Sequence, residues 1–598
     1  MKLRRHRAEL AARVQMLARG TQVLLLLIVA GYGAVQIAEG SHYRRLADDN
    51  RLRKLSIEAS RGLILDRESR PLVENAPSYS LWIDRSRSAG LQDSLHFAAD
   101  ILGSTTERLE DLLEAHRTSP KFRAIRLADD LTLAQASRFL AQNWEHPEFE
   151  VQVDQLRLYR YAHQTAHLLG YLGEIGPAEL EQPDSPYRPG DLAGRKGAEK
   201  LYERTLRGFD GEQVVVVDSR GQRIEELDTV PATAGRDIVL SLDLDLQQEA
   251  ARLLEDRVGT IVALDPRDGS VLAMVSSPSF DPNLFARRLR LEDWNALVGN
   301  PDDPLQNRAI QNTYPPGSVF KIVMAVAGLE EGHADHDHKV FCGGFSKIYG
   351  HRYRCWKRGG HGWVNLREAM KQSCNVYFHQ LGQKLGIDKI ADYSRRFGLG
   401  SPSGFELGGE NRGLVPDSGW STRARGQPWY PGETISVATG QGPILTSPLQ
   451  LAVMLSAVAN GGRLPTPKLR LDASPKSRSV EVSEASLAWT REALWAVVND
   501  RGTGKEALVP GLDVGGKTGT AQVVRQETWT SNEDLAEKNR DHAWFASFAP
   551  LEDPQLVVVV FVEHGGGGST AAAPLAKAIY EKHFAELLEA DTTPRDAS

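Results

Sequence analysis

The chain is poor in cysteine, with Cys342, Cys355 and Cys374 the only three in 598 residues. So low a count excludes a disulfide-dense scaffold, and an odd one leaves at least one thiol unpaired. An excess of one charge is also missing. With 71 basic against 78 acidic side chains the formal net charge is −7, so no whole-chain field steers a polyanion and nucleic acid is set aside as a partner. Low-complexity tracts and internal repeats are absent, and a composition of 41% hydrophobic and 25% charged residues excludes disorder and leaves apolar surface for sizeable cores. At roughly 100 to 200 residues per domain, this length predicts three or four domains, or two large ones behind an anchor.

Apolar runs of about 18 residues without a charge are missing too, with one exception. Residues 20–38 (GTQVLLLLIVAGYGAVQIA) carry no charge, and a helix of that length covers about 28 Å, close to a bilayer core of about 30 Å. Upstream stand Lys2, Arg4, Arg5, Arg7, Arg13 and Arg19 against Glu9 alone, which holds that side in the cytoplasm. A cleaved signal peptide is the alternative, but the run exceeds the usual apolar core of about 7 to 15 residues and no clear A-x-A site follows. The reading is a cytoplasmic tail over 1–19, a transmembrane anchor over 20–40 and an extracytoplasmic body beyond.

Within that body, 41–60 reads as a polar stalk and 61–83 as short paired strands broken at Asp66-Arg67 and Pro71. Residues 94–143 show helical periodicity, and 185–197 (SPYRPGDLAGRKG) reads as an exposed loop. A domain boundary is placed near Gly235, dividing 41–235 from 236–590. After it, DIVLSLD reads as a strand, DLQQEAARLLEDR as an amphipathic helix, and VGTIVALDPRDGSVLAMVSS as a hairpin turning at Asp268-Gly269. Two further strands are expected over 542–550 and 555–565, then a closing helix over 573–590 and a disordered tail over 591–598. Strands at both ends with helical sequence between predict an α/β domain whose terminal segments share one sheet.

Chemistry concentrates in three motifs. In TYPPGSVFKIVMAVAGLEEG, Pro315, Pro316 and Gly317 end an extended segment and Ser318 begins a helical run, so Ser318 and Lys321 lie one turn apart at a helix N-terminus. The dipole there favours a developing alkoxide, and a buried, neutral Lys321 can take the hydroxyl proton. Alone, S-x-x-K is an ordinary Ser cap with a surface Lys. Ser373-Cys374-Asn375 and Lys517-Thr518-Gly519-Thr520 follow it in order, completing the S-x-x-K, S-x-N and K-T-G set of penicillin-binding proteins and class A β-lactamases. Ser373 offers a hydroxyl for proton relay and Asn375 an amide for substrate backbone. Lys517 and Thr518 supply a cation and a donor for a substrate carboxylate, and Gly519 permits close backbone approach.

On these motifs the chain resembles the class B penicillin-binding proteins, peptidoglycan D,D-transpeptidases, over essentially its whole length. Arg61-Gly62-Leu63-Ile64-Leu65-Asp66-Arg67 matches the R-G-x-I-x-D-R opening of the family's pedestal, and Gly194-x-x-Gly197-x-Glu199 with Leu206-Arg207-Gly208 matches a second pedestal motif. Arg354-Cys355-Trp356-Lys357, Gly360-His361-Gly362 and Trp429-Tyr430-Pro431-Gly432 make it most similar to the elongation-type subfamily, penicillin-binding protein 2, rather than the division paralogue. The resemblance implies one N-terminal transmembrane helix, an α+β pedestal of dimerisation type, and a C-terminal α/β transpeptidase domain with a central antiparallel sheet flanked by helices. It implies cross-linking of stem peptides through a Ser318 acyl-enzyme during wall elongation and shape maintenance, with Lys321 as base and the N–H groups of Ser318 and Thr520 as oxyanion donors. A D,D-carboxypeptidase or β-lactam-hydrolysing enzyme with the same nucleophile, and a β-lactam sensor or silent scaffold, are the competing classes. The implied partners are D-Ala-D-Ala donor and amine acceptor peptides, β-lactams as inhibitors, and a RodA-type glycosyltransferase with other elongation-complex proteins at the inner membrane, the catalytic body being periplasmic.

All three cysteines fall between the nucleophile and the S-x-N motif, with His361 in a Gly-rich turn. Three thiolates and an imidazole make a tetrahedral set for one structural zinc, and the resemblance strengthens this, since elongation-type relatives carry a zinc site in this interval with mixed Asp, His and Cys ligands. A Cys342–Cys355 disulfide and buried free thiols are the alternatives. The neighbouring His333, Asp335, His336, Asp337 and His338 read as a solvated loop.

Overall fold

The computed structural model describes all residues except 1, 43–51, 86, 89, 118–123, 184, 189, 218–222, 288, 525–531 and 593–598. Two compact units interleave along the chain. One comprises Met1–Arg61, Pro77–Asp154 and Arg207–Gly235, and the other Gly62–Ala76, Gln155–Leu206 and Arg236–Ser598.

In the first unit a helix runs from Lys2 to Gly33, so the segment read as a separate tail is continuous with the anchor. Its stretch Leu10–Ile37 is long and apolar enough to cross a membrane and packs on nothing. Of the stalk, 43–51 lies outside the described residues. Strands Leu52–Ile57, Gly211–Val217 and Arg223–Val230 form an antiparallel sheet. Helices Leu91–Leu102, Thr106–Ala115 and Leu133–Ala141 bury Leu95, Ala98, Leu109, Leu113 and Phe139 around one core. The helical reading of 94–143 misses a strand, Ile125–Leu131. Ile125, Leu127 and Leu131 are buried there with charged residues between them, a period-two pattern too short to stand out against flanking helices.

In the second unit the R-G-x-I-x-D-R segment is a fastening. Ile64–Leu65 pairs antiparallel with Val73 and Pro71 and parallel with Ile238–Val239. Between them Asp66, fully buried, accepts the N–H groups of Glu68 at 3.0 Å and Arg70 at 2.7 Å and the Arg70 Nε at 2.7 Å, while Arg70 continues to Asp245 at 2.8 Å. A side chain on Gly62 would overlap the Arg236 carbonyl, so only glycine lets those segments meet. In the second motif, Glu199 forms a buried ion pair with Arg157 at 2.8 Å. Of the loop expected over 185–197, Leu192–Gly194 is a strand paired with Leu172–Glu174, and DIVLSLD contributes only its Ile238–Val239.

The main sheet runs in the order Val271–Ser277, Gly259–Leu264, Leu556–Val562, His542–Ala549, Gly515–Ala521, antiparallel throughout. Gly259 lies opposite Val562 and Leu264 opposite Val557, so the first and last segments share this sheet, as expected. One face, including Val262, Met274, Val559 and Phe561, packs with the helix Pro448–Ala459. The other, including Ile261, Ala273, Val558 and Val560, packs with Leu575, Ile579 and Tyr580 of Ala573–His583. Burial on both sides is why LVVVVFV is apolar without alternation. The closing helix breaks at Phe584, and its second piece, Ala585–Thr592, extends two residues into the tail expected to be disordered. The rest of that tail, 593–598, lies outside the described residues.

Candidate active site

Ser318 does not open an α-helix. It is the second residue of a 3-10 turn, Gly317–Phe320, and the α-helix begins at Lys321. Gly317 has a φ of 53°, its N–H donates to the Gly440 carbonyl at 2.9 Å, and a side chain on it would overlap the Thr520 carbonyl. The K-T-G strand therefore passes directly against the Ser318 turn. Gly519 faces Val319 and the Pro316 carbonyl across a gap that a Cβ would close, and Trp544, opposite Gly519 in the next strand, donates its indole N–H to the Pro315 carbonyl at 3.1 Å.

Lys321 is fully buried. Its Nζ donates to the Ser373 carbonyl at 3.0 Å, Ser373 Oγ at 3.2 Å and Asn375 Oδ1 at 2.7 Å, and the Phe378 ring lies 5.3 Å away. Burial brings its pKa down to about 8 against the upward pull of Cys355 and Cys374. Lys321 thus joins the S-x-x-K and S-x-N motifs; its backbone N–H donates to the Ser318 carbonyl, and no hydrogen bond between its Nζ and the Ser318 hydroxyl occurs among the described residues.

The backbone at Ser373 explains how that junction is made. The helix Leu366–Lys371 ends with the Ser373 N–H donating to the Met370 carbonyl and the Cys374 N–H to the Ala369 carbonyl, a Schellman closure. Its left-handed position, normally glycine, holds Ser373 at a φ of 52°. Non-glycine residues there cost roughly 1 to 3 kcal/mol, and the turn aims both the carbonyl and the hydroxyl of Ser373 at Lys321. Asn375 then starts the helix Asn375–Arg396.

Lys517 is fully buried and Thr518 nearly so, on the strand Gly515–Ala521. Burial, reinforced by the Lys321 charge, pushes the Lys517 pKa well down. Thr518 Oγ1 lies 2.7 Å from Thr503 Oγ1, and Gln441 Nε2 donates to the Thr520 carbonyl at 2.9 Å. Sequence reasoning passed over Thr503 and Gln441. The Thr439-Gly440-Gln441-Gly442 run, with Gly440 and Gly442 both at positive φ, is the one signal that could have drawn attention to the second.

Cys342, Cys355 and Cys374 are buried free thiols. His361 Nδ1 lies 3.6 Å from Cys342 Sγ and 3.5 Å from Cys355 Sγ, and the four ligand atoms fall within 4.8 Å of one another. Metal bonds of about 2.3 Å to sulfur and 2.1 Å to nitrogen give tetrahedral N–S edges of about 3.6 Å, so these donors fit a closed zinc site. The Cys374 hydrogen bond, helped by His361, holds the Cys355 thiol far below its usual pKa, while that pairing and burial raise Cys374. The rival acidic and histidine loop is structural: Asp335 accepts the N–H of Asp337 at 2.8 Å, and His336 Nδ1 accepts the Trp489 indole N–H at 3.0 Å.

Residues 56–240 match the penicillin-binding protein dimerisation domain family and residues 259–581 the penicillin binding protein transpeptidase domain family. The chain is 34% identical to the peptidoglycan D,D-transpeptidase MrdA of Acinetobacter baumannii, over 94% of this chain and 86% of that one. The solved complex of penicillin-binding protein PBP2 with MreC from Helicobacter pylori superposes with a TM-score of 0.81 at 28% identity, over 90% of this chain and 99% of that one. A peptidoglycan synthase complex that coordinates polymerization and crosslinking includes a chain matching with a TM-score of 0.73 at 32% identity, over 96% and 98%. With both domain families matched in order and these relatives aligned end to end, the chain belongs to the class B penicillin-binding proteins, in the PBP2 (MrdA) family of peptidoglycan D,D-transpeptidases.

Proposed function

We propose that the chain cross-links peptidoglycan during wall elongation, with Ser318 as its nucleophile. The observation that carries this reading is the convergence of all three motifs on one buried point, Lys321 bonded to Ser373 and Asn375 with the K-T-G strand against the Ser318 turn. Ser318 Oγ attacks the penultimate D-Ala carbonyl of a donor stem peptide. Its proton passes to neutral Lys321, and the backbone N–H groups of Ser318 and Thr520 hold the oxyanion, each such donor typically contributing about 3 kcal/mol. As the intermediate collapses, the C–N bond to the terminal D-Ala breaks and its amine takes the proton, leaving an ester on Ser318. An acceptor amine then attacks the ester, and Ser318 recovers its proton through the Lys321–Ser373 pair. Lys517 and Thr518 bind the terminal carboxylate of the donor, whose negative charge opposes the burial that lowers the Lys517 pKa.

Cys342, Cys355, His361 and Cys374 hold one zinc when it is bound, and with four protein ligands the metal is structural. What it fixes is the corner carrying Ser373 and Asn375, because Cys374 lies between them. The helix Lys2–Gly33 with Ala34–Ala38 is the single-pass anchor, its basic start cytoplasmic and the rest of the chain periplasmic. Relatives solved with MreC and within a synthase complex support a place in the elongation complex beside a RodA-type glycosyltransferase.

Mass mapping after penicillin treatment tests the centre of this reading. The adduct is expected on the Ser318 peptide alone and absent from Ser318→Ala; an adduct elsewhere refutes the nucleophile. Products from pentapeptide-bearing strands separate the activities, cross-linked dimers marking a transpeptidase and trimmed tetrapeptides alone a carboxypeptidase.

A further inference from the structure

The segment 339–363 differs in charge from the rest of the chain. It carries Lys339, Lys347, Arg352, Arg354, Lys357 and Arg358 and no Asp or Glu, in a chain whose net charge is −7. All six are exposed, and none forms an ion pair among the described residues, although arginine–carboxylate pairs are common elsewhere.

The hairpin inside it sorts these charges onto one face. Phe345–Ile348 pairs with His351–Arg354, placing Phe345 opposite Arg354 and Lys347 opposite Arg352. Directly opposed residues share a face, and Phe345, Lys347, Arg352 and Arg354 are exposed while Ser346 and Ile348 are buried. Like charges opposed in this way destabilise a hairpin, which makes the pairing of Lys347 with Arg352 a cost that no carboxylate among the described residues offsets. Aromatic side chains stand among them: the Arg352 guanidinium lies 3.9 Å from the Phe345 ring centroid, and on the adjoining strand pair Phe341 and Trp363, 56% and 68% exposed, sit opposite each other with ring centroids 5.5 Å apart. The thiols and His361 point to the buried side, so the exposed cations do not serve them.

This face is continuous with the S-x-N corner. The Arg354 carbonyl accepts from Asn375 Nδ2 at 3.4 Å, and the Trp356 indole donates to the Gln372 carbonyl at 3.0 Å. The donor's terminal carboxylate already has Lys517 and Thr518, so a second cationic and aromatic surface beside Asn375 answers to the other substrate. We propose that the 339–363 face binds the acceptor strand, its cations meeting free carboxylates of the acceptor stem peptide and its exposed rings stacking on sugar or peptide faces. This rests on the transpeptidase reading above and adds to it the place where the second substrate lies.

The test uses the full-length membrane protein with a fixed donor and a soluble disaccharide-tetrapeptide acceptor, comparing wild type with Lys347→Glu/Arg352→Glu and with the neutral Lys347→Gln/Arg352→Gln. Penicillin acylation of Ser318 and hydrolytic release of donor D-Ala should be unchanged. The acceptor KM should rise roughly tenfold with the charge reversal and less with the neutral pair, as expected for two solvent-screened contacts. An acceptor whose carboxylates are amidated should bind wild type weakly and be insensitive to both variants. An unchanged acceptor KM overturns the proposal, as does slowed penicillin acylation in both variants, which would make the hairpin a support for the catalytic corner. A defect confined to proteoliposomes containing anionic lipid, and absent in phosphatidylcholine alone, would assign the face to the bilayer and equally overturn it. Failure of wild type to acylate at Ser318 is a separate result that strikes the transpeptidase reading itself.

Discussion

Lys321, the base in the proposed mechanism, has surroundings that set a pH dependence. Burial lowers its pKa from the ordinary lysine value of 10.5 to about 8, and the base is the neutral form. Acylation by penicillin should therefore rise with pH through about 8 and level off above it, where an exposed lysine would keep rising toward 10.5. Stopped-flow rates from pH 6 to 10 on the intact protein check this, and a rate flat across that range removes Lys321 as the base. Ser373 supplies a second prediction in which stability and activity part. Glycine at its left-handed position relieves strain but raises the backbone entropy of the unfolded chain, so Ser373→Gly should be as stable as wild type or up to about 1 kcal/mol more stable. Removal of the hydroxyl should nonetheless slow acylation, since Lys321 loses one of its three acceptors. Of this arrangement, the residue types and their order could be read from the sequence. The turn at Ser373 could not, because serine does not advertise a positive φ and the helix that imposes it is closed by backbone hydrogen bonds.

Among the elements, the cysteine-bearing loops and the Asp66 turn do similar work by different chemistry. Cys342, Cys355 and His361 tie two short strand pairs to Cys374 at the S-x-N corner, and a bound zinc would lock them together. One zinc per chain is expected by elemental analysis. Cys355→Ser should lose it, melt at lower temperature and acylate more slowly; full metal content in that variant would exclude Cys355 as a ligand. At the other fastening, Asp66 accepts three hydrogen bonds while fully buried, so Asp66→Ala strands two backbone N–H groups and should cost about 2 to 4 kcal/mol, read from the denaturation midpoint. The cysteine and histidine set was legible because three cysteines in so long a chain cluster within one interval. The onward link from Arg70 to Asp245 was not, since Asp245 lies far along the chain and nothing local in R-G-x-I-x-D-R points to it. The strand Ile125–Leu131 was hidden for the opposite reason, a local signal overshadowed by stronger neighbours.

At the scale of the whole molecule, the sequence displayed the catalytic sheet more clearly than the pedestal. The sheet strands are long, apolar and bounded by turns, whereas the two compact units exchange the chain at residues 61–62, 76–77, 154–155, 206–207 and 235–236, of which only the last lies near the boundary expected at Gly235. The pairing of Gly259–Leu264 with Leu556–Val562 has a consequence for how the enzyme is made. The central strand of the sheet is among the last segments to leave the ribosome. Until it arrives, the early hairpin 259–277 presents an open edge, and the pair formed by the K-T-G strand and His542–Ala549 has no strand to join it to that hairpin. A chain halted between residues 517 and 556 contains Ser318, Lys321, Ser373, Asn375 and Lys517, yet lacks the central strand that joins the two halves of their sheet. Nascent enzyme should thus bind no β-lactam until its last strand is made, and until then the waiting edge needs shielding from other chains.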